Sequence, residues 1–216
     1  MLYKKTYLAL LACSLVACSK SKKNTTKDDD PASLNSLSVS IEGDINKQIH
    51  LTGTDVGVGL LGFTKTNLKG FALVANVIVN GKSVLTANSG LATIPFTTGV
   101  EQKAAPGGVS QSTGNSTKNY SGMDYFLFYD TDPNQKNSMT YITLRQVQDT
   151  ANLLKISGEF HFNAASSSSN LSDACTTEAI AHSGRIPMYN PDVCGATKLR
   201  VTGTFTVYLD KKTQQP

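Results

Sequence analysis

The amino-acid sequence predicts a mainly β protein, an antiparallel β-sandwich or barrel-like domain in which one short helix is possible. From Leu37 onward, apolar and polar residues mostly alternate, which is the period of a strand with one buried face. The 216 residues include 17 glycines and no tryptophan, and serine, threonine and asparagine are abundant. Such a composition favours strands and turns over helices.

The first half of this domain contains the clearest strand patterns. Residues 37–41 alternate and can pair with residues 47–51, whereas the glycine-rich residues 56–63 have a less distinct pattern. Residues 71–79 form the most apolar stretch of the domain, as expected of a strand buried on both faces. Asn80-Gly81 then predicts a tight hairpin turn into a strand at 82–85.

The second half begins with a long polar segment. Residues 102–121 are rich in glycine, serine and asparagine, and we expect a mobile loop there. Residues 125–129 and 139–144 are predicted to be strands. Residues 154–162 and 199–207 share a pattern that ends in Gly-x-Phe, which predicts two similar strands of one sheet, each with its glycine at a bend or bulge.

The N-terminus has the features of an export signal. Lys4 and Lys5 precede a short apolar run, which ends in Leu15-Val16-Ala17-Cys18. The run is shorter than the ~20 apolar residues that span a bilayer, and small residues at its end are typical of a cleavage site. The segment resembles the signal peptide of bacterial lipoproteins, whose last four residues form the lipobox.

This resemblance implies how the chain is processed and where it lies. Residues 1–17 would be removed, and the thiol of Cys18 would carry a diacylglycerol that anchors the protein in the outer membrane, facing the periplasm or the cell surface. The almost wholly polar residues 18–33 would be a disordered tether, and 34–216 a single β-rich domain. The Gly-x-Phe strands also resemble those of small Bacteroidetes lipoproteins of unknown function, which offer no catalytic residues to transfer.

Charge and cysteine content narrow the function further. The formal net charge of +4 includes Lys4 and Lys5, so cleavage leaves +2, and this is not the basic surface of a nucleic-acid-binding protein. With Cys18 lipidated, Cys175 and Cys194 remain in an oxidising compartment, and we expect a disulfide between them. A metal-thiolate pair would need two more ligands, of which only His182 is nearby. A short helix can begin after Ser172 and end near Gly184.

Few residues suggest a binding site. The tyrosines at 120, 125, 129 and 189 lie near loops or strand ends, where they either stack on sugars or complete the rim of the core. Asp130, Asp132 and Asn134 space oxygen ligands like the start of a calcium loop, but the glycine and glutamate of that motif are missing, and we expect a plain turn. No metal site and no cofactor are predicted.

The sequence therefore favours a lipid-anchored binding module over an enzyme. The three histidines, at 50, 161 and 182, belong to no recognisable catalytic or metal-binding motif. A non-catalytic domain that binds a glycan or peptide at the cell envelope is our first hypothesis. A structural or accessory subunit of an outer-membrane or surface-fibre complex is the alternative, and a hydrolase is a distant third.

Overall fold

The computed structural model describes residues 30–62, 68–93, 97–130, 132, 134–166, 173–175, 177 and 189–211. The predicted signal segment, Cys18 and His182 lie outside these residues, so lipidation stays a prediction. Within the described ranges, no helix is both long enough and apolar enough to span a membrane.

The prediction of a mainly β, antiparallel fold is confirmed. The described residues form one sheet of twelve strands. In chain order these are β1 (Ser36–Gly43), β2 (Lys47–Thr52), β3 (Val56–Leu61), β4 (Gly70–Val79), β5 (Lys82–Asn88), β6 (Ala92–Thr93), β7 (Glu101–Ala104), β8 (Gly108–Thr113), β9 (Ser116–Ser121), β10 (Thr140–Asp149), β11 (Leu153–Ser166) and β12 (Thr197–Asp210). The sheet is accompanied by helices α1 (Gly122–Tyr129) and α2 (Pro191–Cys194).

The sheet curls into a nearly closed, barrel-like shape around one apolar core. Its strands follow the order β2-β1-β12-β11-β9-β8-β5-β4-β3. β10 pairs with the first part of β11 and carries β7 on its other edge, while the short β6 pairs with β4. The alternation of apolar and polar residues explains which side chains form the core. Strand β1 is an example, because Leu37, Val39 and Ile41 face inward and the serines between them face outward.

The two strands of the internal repeat are neighbours at the centre of the sheet. β11 and β12 pair antiparallel along all 14 residues of each strand. In this register Phe160 lies opposite Gly203, and Phe205 lies opposite Gly158. A Cβ on Gly203 would lie 2.4 Å from two ring carbons of Phe160. The glycine therefore makes room for an aromatic ring, and no bulge occurs at Gly203.

Gly158 has a different role, closer to the predicted one. A bulge lies beside it, but in the partner strand β10, where the register shifts between Leu144 and Gln146. A Cβ on Gly158 would lie 2.4 Å from the carbonyl oxygen of Thr143. The absence of a side chain at Gly158 thus lets the bulged strand approach closely.

The prediction of a mobile loop at 102–121 is wrong, because this segment contributes β7, β8 and β9. Few of its side chains are apolar, but Val109 and Tyr120 both point into the core and are only 3% and 2% exposed. β8 also pairs with β5, so the backbone polar groups of the segment are satisfied by an existing sheet. Gly114, with φ of 61°, makes the tight turn between β8 and β9.

The strand predicted at 125–129 is also wrong, since these residues lie in α1. Short apolar runs fit a strand or a buried helix equally well. The decisive signal is the residue before the helix: Ser121 Oγ accepts a hydrogen bond of 3.0 Å from the backbone N–H of Asp124. This is an N-cap, which favours a helix start at Gly122.

At the N-terminal end of the domain, regular structure is present before residue 34, the predicted start. Residues 30–33 were assigned to the disordered tether, but Pro31–Leu34 is a 3₁₀ turn whose first residues are capped by Asp30. Of the helix predicted after Ser172, residues 173–175 and 177 are helical, and its predicted end near Gly184 lies outside the described residues.

The contact between Gly203 and Phe160 leads to the first prediction. Gly203→Ala should lower the free energy of unfolding by about 1 to 3 kcal/mol, because the new methyl group forces the Phe160 ring from its place in a packed core. Urea unfolding followed by circular dichroism measures this change.

Two further variants make that test specific. Gly59→Ala adds a methyl group 3.8 Å from the nearest atom in an exposed strand, and it should be nearly neutral. In a Phe160→Leu background the ring carbons are absent, so Gly203→Ala should cost less than in the wild type. Equal costs in the two backgrounds would contradict the assignment.

Candidate functional site

The predicted disulfide is confirmed and anchors a small second core outside the barrel. Cys175 and Cys194 are bonded, with their Cα atoms 4.9 Å apart, and both are buried. Phe128 of α1 and Ala165 of β11 pack against them. The disulfide therefore fixes the segment before β12 against the outer side of the sheet.

Three of the four predicted tyrosines gather around this disulfide. Tyr125, Tyr129 and Tyr189 are half-buried and, with Phe128, form what we call the aromatic cluster. The ring centroids of Tyr125 and Tyr129 are 5.3 Å apart, and those of Phe128 and Tyr189 are 5.6 Å apart. Burial raises the pKa of the Tyr125 and Tyr129 hydroxyls, so both remain protonated donors at neutral pH.

Lys198 adds a cation to one side of the aromatic cluster. Its Nζ lies 5.2 Å from the centroid of the Tyr129 ring, within the range of a cation–π contact. Tyr129 also donates a hydrogen bond to the carbonyl of Ala196. Tyr129 is thus held in place, and the ring that lines the adjacent open surface is that of Tyr125.

The fourth tyrosine, Tyr120, lies apart from the other three and has a structural role. Its hydroxyl donates to the carboxylate of Asp44, in the turn between β1 and β2. Lys118 Nζ lies 2.5 Å from the same carboxylate, and Thr197 Oγ1 donates to it at 3.0 Å. Asp44 therefore joins the first hairpin to β9 and to the start of β12.

The acidic residues after α1 form a turn. The buried carboxylate of Asp130 accepts hydrogen bonds from the backbone N–H groups of Asp132 and Asn137 and from the Asn137 side chain. Asp132 in turn accepts from the N–H of Asn134 at 2.8 Å. These are the contacts of a loop that binds its own backbone. Within the described ranges, no group of three metal-ligating side chains was found.

The most extensive polar feature is one that sequence reasoning missed. On the outer face of the sheet, small hydroxyl side chains from β1 and β12 stand side by side in register. The strands place them about 4.8 Å apart across the pair and about 6.7 Å apart along each strand. We call this surface the hydroxyl trough; it contains Ser36, Ser38, Ser40, Thr202, Thr204 and Thr206.

Longer side chains of the neighbouring strands form the walls of the hydroxyl trough. On the β2 side, His50 Nδ1 lies 2.8 Å from Ser38 Oγ, and Gln48 donates to Ser40 Oγ at 2.7 Å. On the β11 side stand Glu159 and His161. The short side chains of the floor and the longer side chains of the walls line an open depression of about 360 Å³.

The β11 wall is held by an ion pair, a hydrogen bond and ring stacking. Glu159 pairs with Arg145 at 2.6 Å, and His161 Nε2 lies 3.0 Å from a carboxylate oxygen of Glu101. The His161 ring stacks on Tyr141, with centroids 5.3 Å apart and planes 17° from parallel. This wall presents a stacked pair of rings next to hydrogen-bonding groups.

The hydroxyl trough continues into a second depression at Arg200. This second depression, of about 330 Å³, is lined by Glu42, Tyr125, Asn163 and Lys198 among others, and Arg200 lines both depressions. The hydroxyl trough and the second depression together form what we call the groove. It leads from the floor of hydroxyl groups past a cationic residue to the aromatic cluster.

One pair in the groove has the distance required for nucleophilic chemistry. Ser38 Oγ and His50 Nδ1 lie within hydrogen-bond distance, as a nucleophile and its base must. Among the described residues, however, no carboxylate contacts the other ring nitrogen of His50, so the orienting third group of a triad is missing there. The Ser38 hydroxyl and the His50 ring can also hydrogen-bond to a ligand.

Comparisons with known proteins give no further indication of function. No protein-family model matches this chain, and no curated protein or solved structure is significantly similar to it.

The environment of Asp44 predicts a dependence of stability on pH. Hydrogen bonds from Lys118 and then Tyr120 hold the pKa of Asp44 below its ordinary value of 3.8. The stabilising effect is therefore complete above pH 3.8 and is lost as the pH falls through the folded-state pKa. Both side chains of the ion pair are partly exposed, so Asp44→Asn should cost about 0.5 to 1 kcal/mol at pH 7.

Urea unfolding midpoints at pH 7, 5 and 3 provide the measurement. The gap between wild type and Asp44→Asn should be constant from pH 7 to 5 and narrower at pH 3. Asp55→Asn, at an exposed carboxylate of the same charge, is the control and should show no such trend. A gap that stays the same at pH 3 would disprove the role of the charged carboxylate.

Proposed function

We propose that this protein is a lipid-anchored lipoprotein of the cell envelope whose β domain binds a glycan without catalysis. The groove is the observation that carries the proposal. It combines a regular floor of hydroxyl groups, walls that donate and accept hydrogen bonds, and a half-buried aromatic ring at one end.

The floor suits a ligand that itself consists of hydroxyl groups. A serine or threonine hydroxyl is both a donor and an acceptor, so it can satisfy either role of a sugar hydroxyl. Ser38 and Ser40 already bond to His50 and Gln48, which orients their oxygens, whereas no hydrogen bond between side chains of the described residues involves Thr202 or Thr204. These two threonines are therefore available to a ligand.

The aromatic rings supply the other half of sugar recognition. The faces of a pyranose ring carry C–H groups that pack against an aromatic ring. Tyr125 lines the second depression, and His161, which stacks on Tyr141, lines the hydroxyl trough. Sequence reasoning named Tyr125 as a sugar-binding candidate. His161 and Tyr141 join it only through the register of β10 and β11.

The predicted export signal supports a location where glycans are abundant. A lipid on Cys18 and the predicted tether that follows it would hold the domain at the outer membrane, with its groove open to the periplasm or the exterior. The membrane would then be one partner, and an envelope or extracellular glycan the other.

An accessory role in an outer-membrane or surface-fibre complex is the second candidate. It is favoured by β3, a terminal strand of the sheet that pairs only with β4 among the described strands. No described strand pairs with its other edge, and an unpaired edge can accept a strand from a partner. Leu61 at its end is 44% exposed, which adds apolar surface to this edge.

Removal of the floor hydroxyls tests the proposed glycan site. The double variant Thr202→Val, Thr204→Val deletes two hydroxyl groups while keeping the branched side-chain shape. Its affinity for the polysaccharide that the wild-type protein binds should be lower by about tenfold or more, since each hydrogen bond contributes about 1 kcal/mol. Affinity electrophoresis against immobilised laminarin, dextran, alginate and polygalacturonate gives the measurement.

A matched pair of threonines provides the control. Thr113→Val, Thr117→Val removes two exposed hydroxyls from the β8–β9 hairpin, outside the groove, and should bind like the wild type. Retention of the wild-type protein by none of the four polysaccharides would overturn the proposal, and would favour the role through β3.

A further inference from the structure

We propose that the glycan bound in the groove is acidic, and that Arg200 recognises its carboxylate. This inference rests on the proposed glycan-binding function and assigns its ligand class. Arg200 is the residue at which the hydroxyl trough and the second depression meet, so any chain that occupies both must pass it.

The charge of Arg200 has no partner within the described residues. Glu42 lies directly opposite it on β1 and Asn163 lies opposite on β11. Nevertheless, none of the five ion pairs among the described residues includes Arg200. Its side chain is exposed, and its planar guanidinium offers two parallel N–H donors, the geometry that suits a carboxylate.

The two carboxylates that line the hydroxyl trough, Glu159 and Glu101, each have a partner on a neighbouring strand. Glu159 pairs with Arg145, and Glu101 with His161. Glu42 lies beside Arg200, but Lys198 lines the same depression. The second depression therefore contains two cations and one carboxylate, an excess of positive charge at the point where the hydroxyl trough ends.

The surroundings of Arg200 match a sugar acid better than a free anion. A phosphate or sulfate ion has no apolar face, whereas the two depressions that meet at Arg200 contain the floor hydroxyls and the Tyr125 ring. A uronic acid presents a carboxylate, hydroxyl groups and an apolar ring face together. Each of these groups has a counterpart in the groove.

Matched polysaccharides test the inference with the whole mature chain. Polygalacturonate, alginate and hyaluronate are each compared with their carboxyl-reduced forms, which keep the same linkages but lose the charge. The wild-type protein should bind at least one acidic polymer ten or more times tighter than its reduced form. Arg200→Gln should remove this preference, so that the variant binds the acidic polymer and its reduced form with similar affinity.

Lys82→Gln is the control, because it removes the same charge from the exposed β4–β5 hairpin and should retain the preference. Equal affinity of the wild type for an acidic polymer and its reduced form would overturn this inference while leaving the glycan-binding function intact. An unchanged preference in Arg200→Gln would also overturn it. Failure to bind any polysaccharide, neutral or acidic, would refute the proposed function itself.

Discussion

The full-length pairing of β11 with β12 is the constraint on which the rest of the structure depends. These two strands hold the centre of the sheet, with β1 on one side and β10 and β9 on the other. Their register is specified by side-chain size as well as by alternation, because the Phe160 ring occupies the space that a side chain at Gly203 would fill. A shift of two residues would keep the inward faces inward but would place Phe160 opposite Val201 or Phe205, where its ring has no room.

The same register creates the outer surface. Once Phe160 and Phe205 point inward, Thr202, Thr204 and Thr206 must point outward, and the pairing with β1 sets three serines beside them. The side chains of β1 and β12 are small, and those of the flanking strands β2 and β11 are larger. Together they form a depression to which no loop contributes. The groove is therefore a property of the sheet, and its side chains are held by paired backbone, which limits the ordering cost of binding.

The sequence predicted an element correctly where its local pattern fits only one type of structure. Alternation identified β1, β11 and β12, Asn80-Gly81 identified the β4–β5 hairpin, and the pairing of Cys175 with Cys194 followed from the predicted export. The sequence-based predictions were wrong where the apolar content of a segment was used to judge whether that segment is ordered. Residues 102–121 are polar, but two buried side chains and the edge of β5 suffice to order β8 and β9. In α1, the capping serine was the signal that the aromatic run obscured.

By itself the sequence determined the class of fold, the inward and outward faces of its regular strands and the disulfide, because each depends on neighbours in the chain or on chemistry that needs no geometry. Only the tertiary structure decided which outward faces meet. Ser38 and Thr204 are 166 positions apart in the chain yet stand side by side, and Arg200 meets Tyr125 at one depression. Alternation reveals that a side chain faces outward, but strand order and register, which the packing of the core selects, decide what lies next to it.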